Sequence, residues 1–193
     1  VNIAILKLKG KSCAYIANAV VTAGTVSVVS RDFIYGEILS RGAHAAAGLA
    51  IGITSMEMTV GTETESFVDG ADITADDLYV LALFNRNDDG SDAVFKSGGK
   101  DVKYGFVSNG SSSGGGILAG GIGLYNTVKI EPSVKAYAAN TAGKNAVINV
   151  KNSTVFKAVR GIVLAVDNDN IDVSLGVSAG DIHYFIDVLG TVQ

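Results

Sequence analysis

The feature that most constrains this chain is an alternation of apolar and polar residues with a period of two. Ile171-Asp172-Val173-Ser174-Leu175-Gly176-Val177 alternates without a break, and it follows the apolar run Ile162–Val166. Successive side chains of an extended backbone point to opposite faces, so a period of two predicts a strand with one wet face. An unbroken short apolar run predicts a buried strand. Asp167-Asn168-Asp169-Asn170 between them has the composition of a four-residue hairpin loop. The same pattern recurs in Leu78–Phe84, the Asn85–Asp92 turn and Ala93–Lys96. It recurs again in Val102–Val107, Leu124–Ile130, Val134–Ala138, Ala146–Val150, Thr154–Val159 and Ile182–Leu189. Strands at short intervals punctuated by Gly, Asn and Asp predict a mainly β fold. The expected architecture is one domain over 1–193, an antiparallel β-sandwich, jelly-roll-like or barrel.

The N-terminal third is less regular. Val1–Lys9 and Thr25–Ser30 read as strands, and Met56–Val60 alternates and runs on into Thr62-Glu63-Thr64-Glu65. Tyr35–Leu49 holds enough helix formers to predict one short helix, and Ser12–Val21 a second. Asp72–Asp77 reads as a turn. Ser108–Gly116, nine residues of Ser, Asn and Gly, predicts a flexible loop. No internal repeat stands out: Gly121-Ile122-Gly123-Leu124 and Gly161-Ile162-Val163-Leu164 echo each other for only a few residues.

Composition narrows the class. The chain has 193 residues, 48% hydrophobic and 18% charged, with 24 Gly, one Cys and 7% aromatic. That excludes collagen, a coiled coil, a disulfide scaffold and bulk disorder. Its apolar content is Ala, Val, Ile and Leu, more than one small domain usually hides. Charge is uneven: residues 57–101 carry 11 acidic and 3 basic side chains, whereas 1–56 carry 5 basic and 2 acidic. Lys7, Lys9 and Lys11 are the only tight basic group, so no clustered face for phosphate is present and no nucleic-acid motif is found. No apolar run reaches the 18 residues of a transmembrane helix. The first residues do not resemble a signal peptide, which leaves Val1 to follow either Met removal or leader cleavage. Cys13 sits in apolar company, as a buried thiol would.

Motifs with chemistry fall short of their structural context. Gly110-Ser111-Ser112-Ser113-Gly114 matches G-x-S-x-G, with Asp181 and His183 later in the chain. A nucleophile elbow needs a helix directly after the Ser, and three glycines follow instead. Gly114, Gly116 and Ala119 have dinucleotide-loop spacing without a βαβ unit around them. Asn85–Gly90 resembles half an EF-hand loop, but the twelfth position is Lys96 rather than Glu. Asp88, Asp89, Asp92 and Asp167, Asp169, Asp172 are candidate Ca²⁺ ligands, although turn chemistry accounts for the same composition. No cofactor is otherwise implied, and no enzyme activity.

The most unusual segments are Ala43–Ile53 and Gly114–Leu124, small and apolar throughout. They predict close backbone approach, either inside the domain or between subunits. The function expected is therefore structural: a homopolymer with itself as partner, forming a shell, tube or filament. A virion coat or tail component, or an extracellular filament subunit, would be located in the virion or at the cell surface. Val1, Ile3, Ile5, Ala43, Ala47, Leu49, Ile51, Ile117 and Leu118 are the expected interface, with strand 1–9 donated to a neighbour and the acidic and basic segments setting register. The alternatives are a Ca²⁺-dependent carbohydrate-binding β-sandwich and a serine hydrolase using Ser112 and His183.

Overall fold

Most of the alternating segments lie in strands, and outside one inserted hairpin these strands pair in parallel with segments one turn of the chain away. Val102–Val107 is instead divided between two strands, and of Ala93–Lys96 only Phe95 and Lys96 are in one. The computed structural model describes residues 1–47, 49–102, 105–116, 119–140, 144–161, 164–173 and 177–188, with backbone alone for 49–50, 114–116, 119–122, 164–173 and 177–188. β1 (Asn2–Ala17), β2 (Val20–Asp32) and β3 (Gly36–Ala46) make a first coil. β4 (Leu49–Asp69) and β5 (Asp72–Phe84) begin a second. An inserted hairpin, β6 (Phe95–Ser97) and β7 (Lys100–Val102), interrupts it before β8 (Phe106–Gly116) closes it. β9 (Ala119–Ile130), β10 (Ser133–Ala139), β11 (Val147–Arg160) and β12 (Leu164–Val173) make a third, and β13 (Val177–Val188) starts a fourth.

Each coil adds one strand to each of three sheets. β1, β4, β9 and β13 run side by side with β10 also on β4; β2, β5 and β11 form the second sheet; β3, β8 and β12 form the third. All of these pairings are parallel. Among the described residues the antiparallel contacts are β6 with β7 and the Arg86–Asp92 bridge. The architecture is a parallel β-solenoid. The expected antiparallel sandwich, jelly roll or barrel is not what these strands build, and the sheets do not close. Parallel neighbours need a long crossover, and here the other two sheets of each coil supply it.

The other expectations that change follow from this topology. Tyr35–Leu49 and Ser12–Val21 are not helical: Gly36, Ile38, Ser40 and Gly42 face inward at a period of two, as a strand requires. Asp72–Asp77 opens β5, Ser108–Gly116 lies within β8, and Asp167–Asn170 lies within β12. A spatial repeat is present as well. Asn2 lies against Thr54 and Val20 against Asp72, both 52 residues apart. Thr54 lies against Leu124 and Gly36 against Phe106, both 70 apart. The difference of 18 arises at the insertion, where residues 86–104 stand in place of the single residue Ile34 of the first coil.

Inward positions carry the core. Thr54, Met56, Met58, Val60, Thr62, Thr64, Ser66 and Val68 of β4 are all buried. In a parallel register like stacks on like: Leu6, Met58 and Val128 share one column, and Val28 and Val80 another. On the outer face Tyr15, Phe67 and Tyr137 form a ring column, with centroids 5.2 and 5.0 Å apart and planes within 9° and 12°. Asn18 and Gly70 turn the first corner with φ of 52° and 55°, a left-handed conformation that Asn and Gly tolerate best. The backbone ladder continues through this corner, because Asn18 N donates to Asp69 O at 2.9 Å and Gly70 N to Ala139 O at 3.1 Å.

Candidate functional site

The second corner, between the second and third sheets, carries the insertion. Asn85 turns it with φ of 50° and is 4% exposed. Its Oδ1 accepts from Ile34 N at 2.7 Å and its Nδ2 donates to Ile34 O at 3.1 Å. The side-chain amide thus replaces a peptide rung and braces the coil beside it. Gly161 stands next to it in the column, and a Cβ there would lie 2.5 Å from Asn85 O. Outside this corner an open depression is lined by Arg31, Phe33, Asn87, Asp88 and Asp89.

The acidic residues of the insertion are all engaged. Arg31 Nε donates to Asp88 Oδ1 at 2.7 Å, and Arg31 Nη2 pairs with Asp88 Oδ2. That guanidinium holds the Asp88 carboxyl below its usual range. Asp89 accepts from Ser91 Oγ at 2.6 Å and Ser91 N at 2.8 Å, which lowers its pKa too. Asp92 pairs with Arg86 at 3.0 Å. The candidate Ca²⁺ ligands Asp88, Asp89 and Asp92 therefore point to separate partners. Asp167 and Asp172 stand on β12 opposite Asn109 and Ser113, with Asp169 at the irregularity between them; their side chains lie outside the described residues. Among the described residues no group of three His, Cys, Asp or Glu is placed to hold a metal.

Ser112 is 1% exposed and faces the interior of β8, opposite Gly42. A hydroxyl in mid-strand inside the solenoid has neither the elbow nor the access that a nucleophile requires. His44 packs against Gly52 in the same region, in space a side chain at 52 would take. His183 stands on β13 opposite Tyr125. Cys13 is exposed on the outer face rather than buried.

The charged segments meet inside one chain. Lys7 pairs with Glu57 at 3.5 Å, Lys11 with Glu63 at 3.2 Å and Glu65 at 2.8 Å, and Lys135 with Glu65 at 3.6 Å. Glu65 and Glu63 together push the Lys11 pKa up. Lys7 and Lys11 thus meet acidic residues of the 57–101 segment through parallel pairing of β1 with β4, which leaves less of that charge for a neighbour.

The expected interface residues fall into three groups. Val1, Ile3, Ile5 and Ile51 are 78%, 67%, 57% and 67% exposed, and Ala43 and Ala47 are exposed as well. Leu49 lies on β4 opposite Ala119, its side chain outside the described residues; Ile117 and Leu118 also lie outside them. What the sequence missed is the backbone. Among the described residues β1, β2 and β3, of 16, 13 and 11 residues, each pair on one edge only. At the opposite end β10, β11, β12 and β13 likewise pair on one edge among the described residues. No helix is long and apolar enough to cross a membrane among the described residues.

Comparison with protein-family models, with curated proteins and with solved structures returned no match, so geometry carries the functional reading.

Proposed function

We propose that the chain is a structural protein that associates end to end with copies of itself, without a catalytic role. The observation that carries this reading is the pair of open parallel edges at opposite ends of the solenoid. Rows of unpaired N–H and C=O groups are a template for another strand. Because the two edges differ and face opposite ways along the axis, their contact is head to tail, and such contacts build open filaments or tubes. Exposed Ile3 and Ile5 on β1, and Val1 just before it, add apolar area beside that edge.

A copy whose first coil continues the third coil of its neighbour would bring residues 11–17 onto β10, β2 onto β11 and β3 onto β12. Its residues 2–8 would claim the edge of β9 that residues 182–188 hold, since both sets align with 124–130 in the ladder. The joint thus donates the N-terminal strand and displaces β13. A virion tail or coat, or an extracellular filament, is the setting that such a polymer suits. Electron microscopy and sedimentation of concentrated protein test the reading: filaments that grow with concentration are expected, and a strict monomer would end it.

A second reading is carbohydrate binding at the insertion, favoured by the depression that sets exposed Phe33 beside Arg31, Asn87 and Asp89. If Ca²⁺ takes part, a chelator lowers the thermal midpoint; an unchanged midpoint removes the metal from this reading.

A further inference from the structure

Two charged residues of opposite sign occupy one inward column at opposite ends of the solenoid. Asp32 of β2 and Arg160 of β11 both align with Phe84 of β5, one on each side. Phe84 is fully buried and separates them by two rungs, about 10 Å between α-carbons. No ion pair joins them among the described residues. Nη1 of Arg160 is buried without a hydrogen-bond partner. Burial pushes the Asp32 carboxyl above its usual range, and the nearby Thr64 hydroxyl offsets this only in part. The Asp32 carboxyl thus keeps a net desolvation cost, and one guanidinium nitrogen of Arg160 is buried without a partner. The outer-face lysines differ, since Lys7 and Lys11 already have partners in their own chain.

Resting on the end-to-end reading, we infer that Asp32 of one copy pairs with Arg160 of the next, and that this inward ion pair fixes the register of the joint. Continuing the ladder by one rung sets the two residues side by side on the same face, about 4.8 Å apart between α-carbons. A shift by one residue turns Asp32 to the other face and leaves both charges unpaired. The pair thus penalises wrong registers more than it strengthens the right one.

Charge reversal tests this with the full chain. Asp32→Arg alone places two guanidinium groups in the joint, and Arg160→Asp alone places two carboxylates there. Each is expected to weaken polymerisation roughly a hundredfold or more. Mixing the two variants makes every alternating joint complementary and should restore filaments containing both in equal numbers. Single variants that polymerise like the parent, or folded variants whose mixture stays monomeric, would overturn the inference. If the reversals do not fold, Asp32→Asn and Arg160→Gln replace them. Each should raise the critical concentration, and the double variant should raise it no further than the worse single; additive effects would overturn the pairing. A parent chain that never polymerises would instead remove the end-to-end reading itself.

Discussion

Asn85 shows how much one side chain contributes here. Its amide makes both hydrogen bonds of a peptide to Ile34, from a side chain that is itself buried in the corner. Asn85→Ala leaves Ile34 N and O short of those partners and removes a residue suited to positive φ, for an expected loss of about 2–4 kcal/mol in chemical denaturation. Gly161→Ala drives a methyl group against the Asn85 carbonyl and should cost about 1–3 kcal/mol. Asp32 behaves oppositely. Its pKa is raised in the folded chain, so the folded state binds the proton more tightly than the unfolded one. Its contribution favours folding below the ordinary carboxylate pKa and is lost as pH rises through the raised value. Asp32→Asn should therefore raise the thermal midpoint of the lone chain at neutral pH while weakening assembly. A lower midpoint would mean that Asp32 stabilises its own coil.

At the scale of elements, strands were legible and their partners were not. Leu78–Phe84 and Leu124–Ile130 are strands because their alternation sorts side chains between core and outside. Nothing in a period of two says whether a neighbouring strand runs parallel or antiparallel. The insertion hid the repeat further, changing the spacing from 52 to 70 residues partway through a coil. The Gly/Ser tract became a strand because small inward residues suit the place where β3 and β8 crowd the long sheet. Gly42 illustrates this, since a Cβ there would meet Thr54 Oγ1 at 2.5 Å. Of the candidate sites, the exposure of Val1, Ile3 and Ile5 was legible, whereas the Asp32–Arg160 column appears only once register is known. The ring column gives an element-scale prediction. Phe67 is stacked on both faces and Tyr15 on one, so Phe67→Ala should cost about 0.5–1.5 kcal/mol more than Tyr15→Ala. Equal losses would mean that stacking adds nothing beyond area.

The whole molecule is a solenoid in which each coil takes its ladder hydrogen bonds from the coils beside it. A filament of such units continues the internal repeat across every joint, so oriented samples should diffract at about 4.8 Å along the filament axis. Sheets whose strands ran along the axis would give that spacing across it instead. The central claim, continuation of the ladder from one copy to the next, is tested most directly by Lys135→Cys. Cys13 aligns with Glu65 and Glu65 with Lys135, so within one chain positions 13 and 135 are two rungs apart, about 10 Å and beyond disulfide reach. Across a continued joint they become neighbours at about 4.8 Å, within it. Mild oxidation of assembled Lys135→Cys should give a ladder of dimers, trimers and longer chains on non-reducing gels, absent from the parent. Filaments that oxidise without forming this ladder would contradict the account.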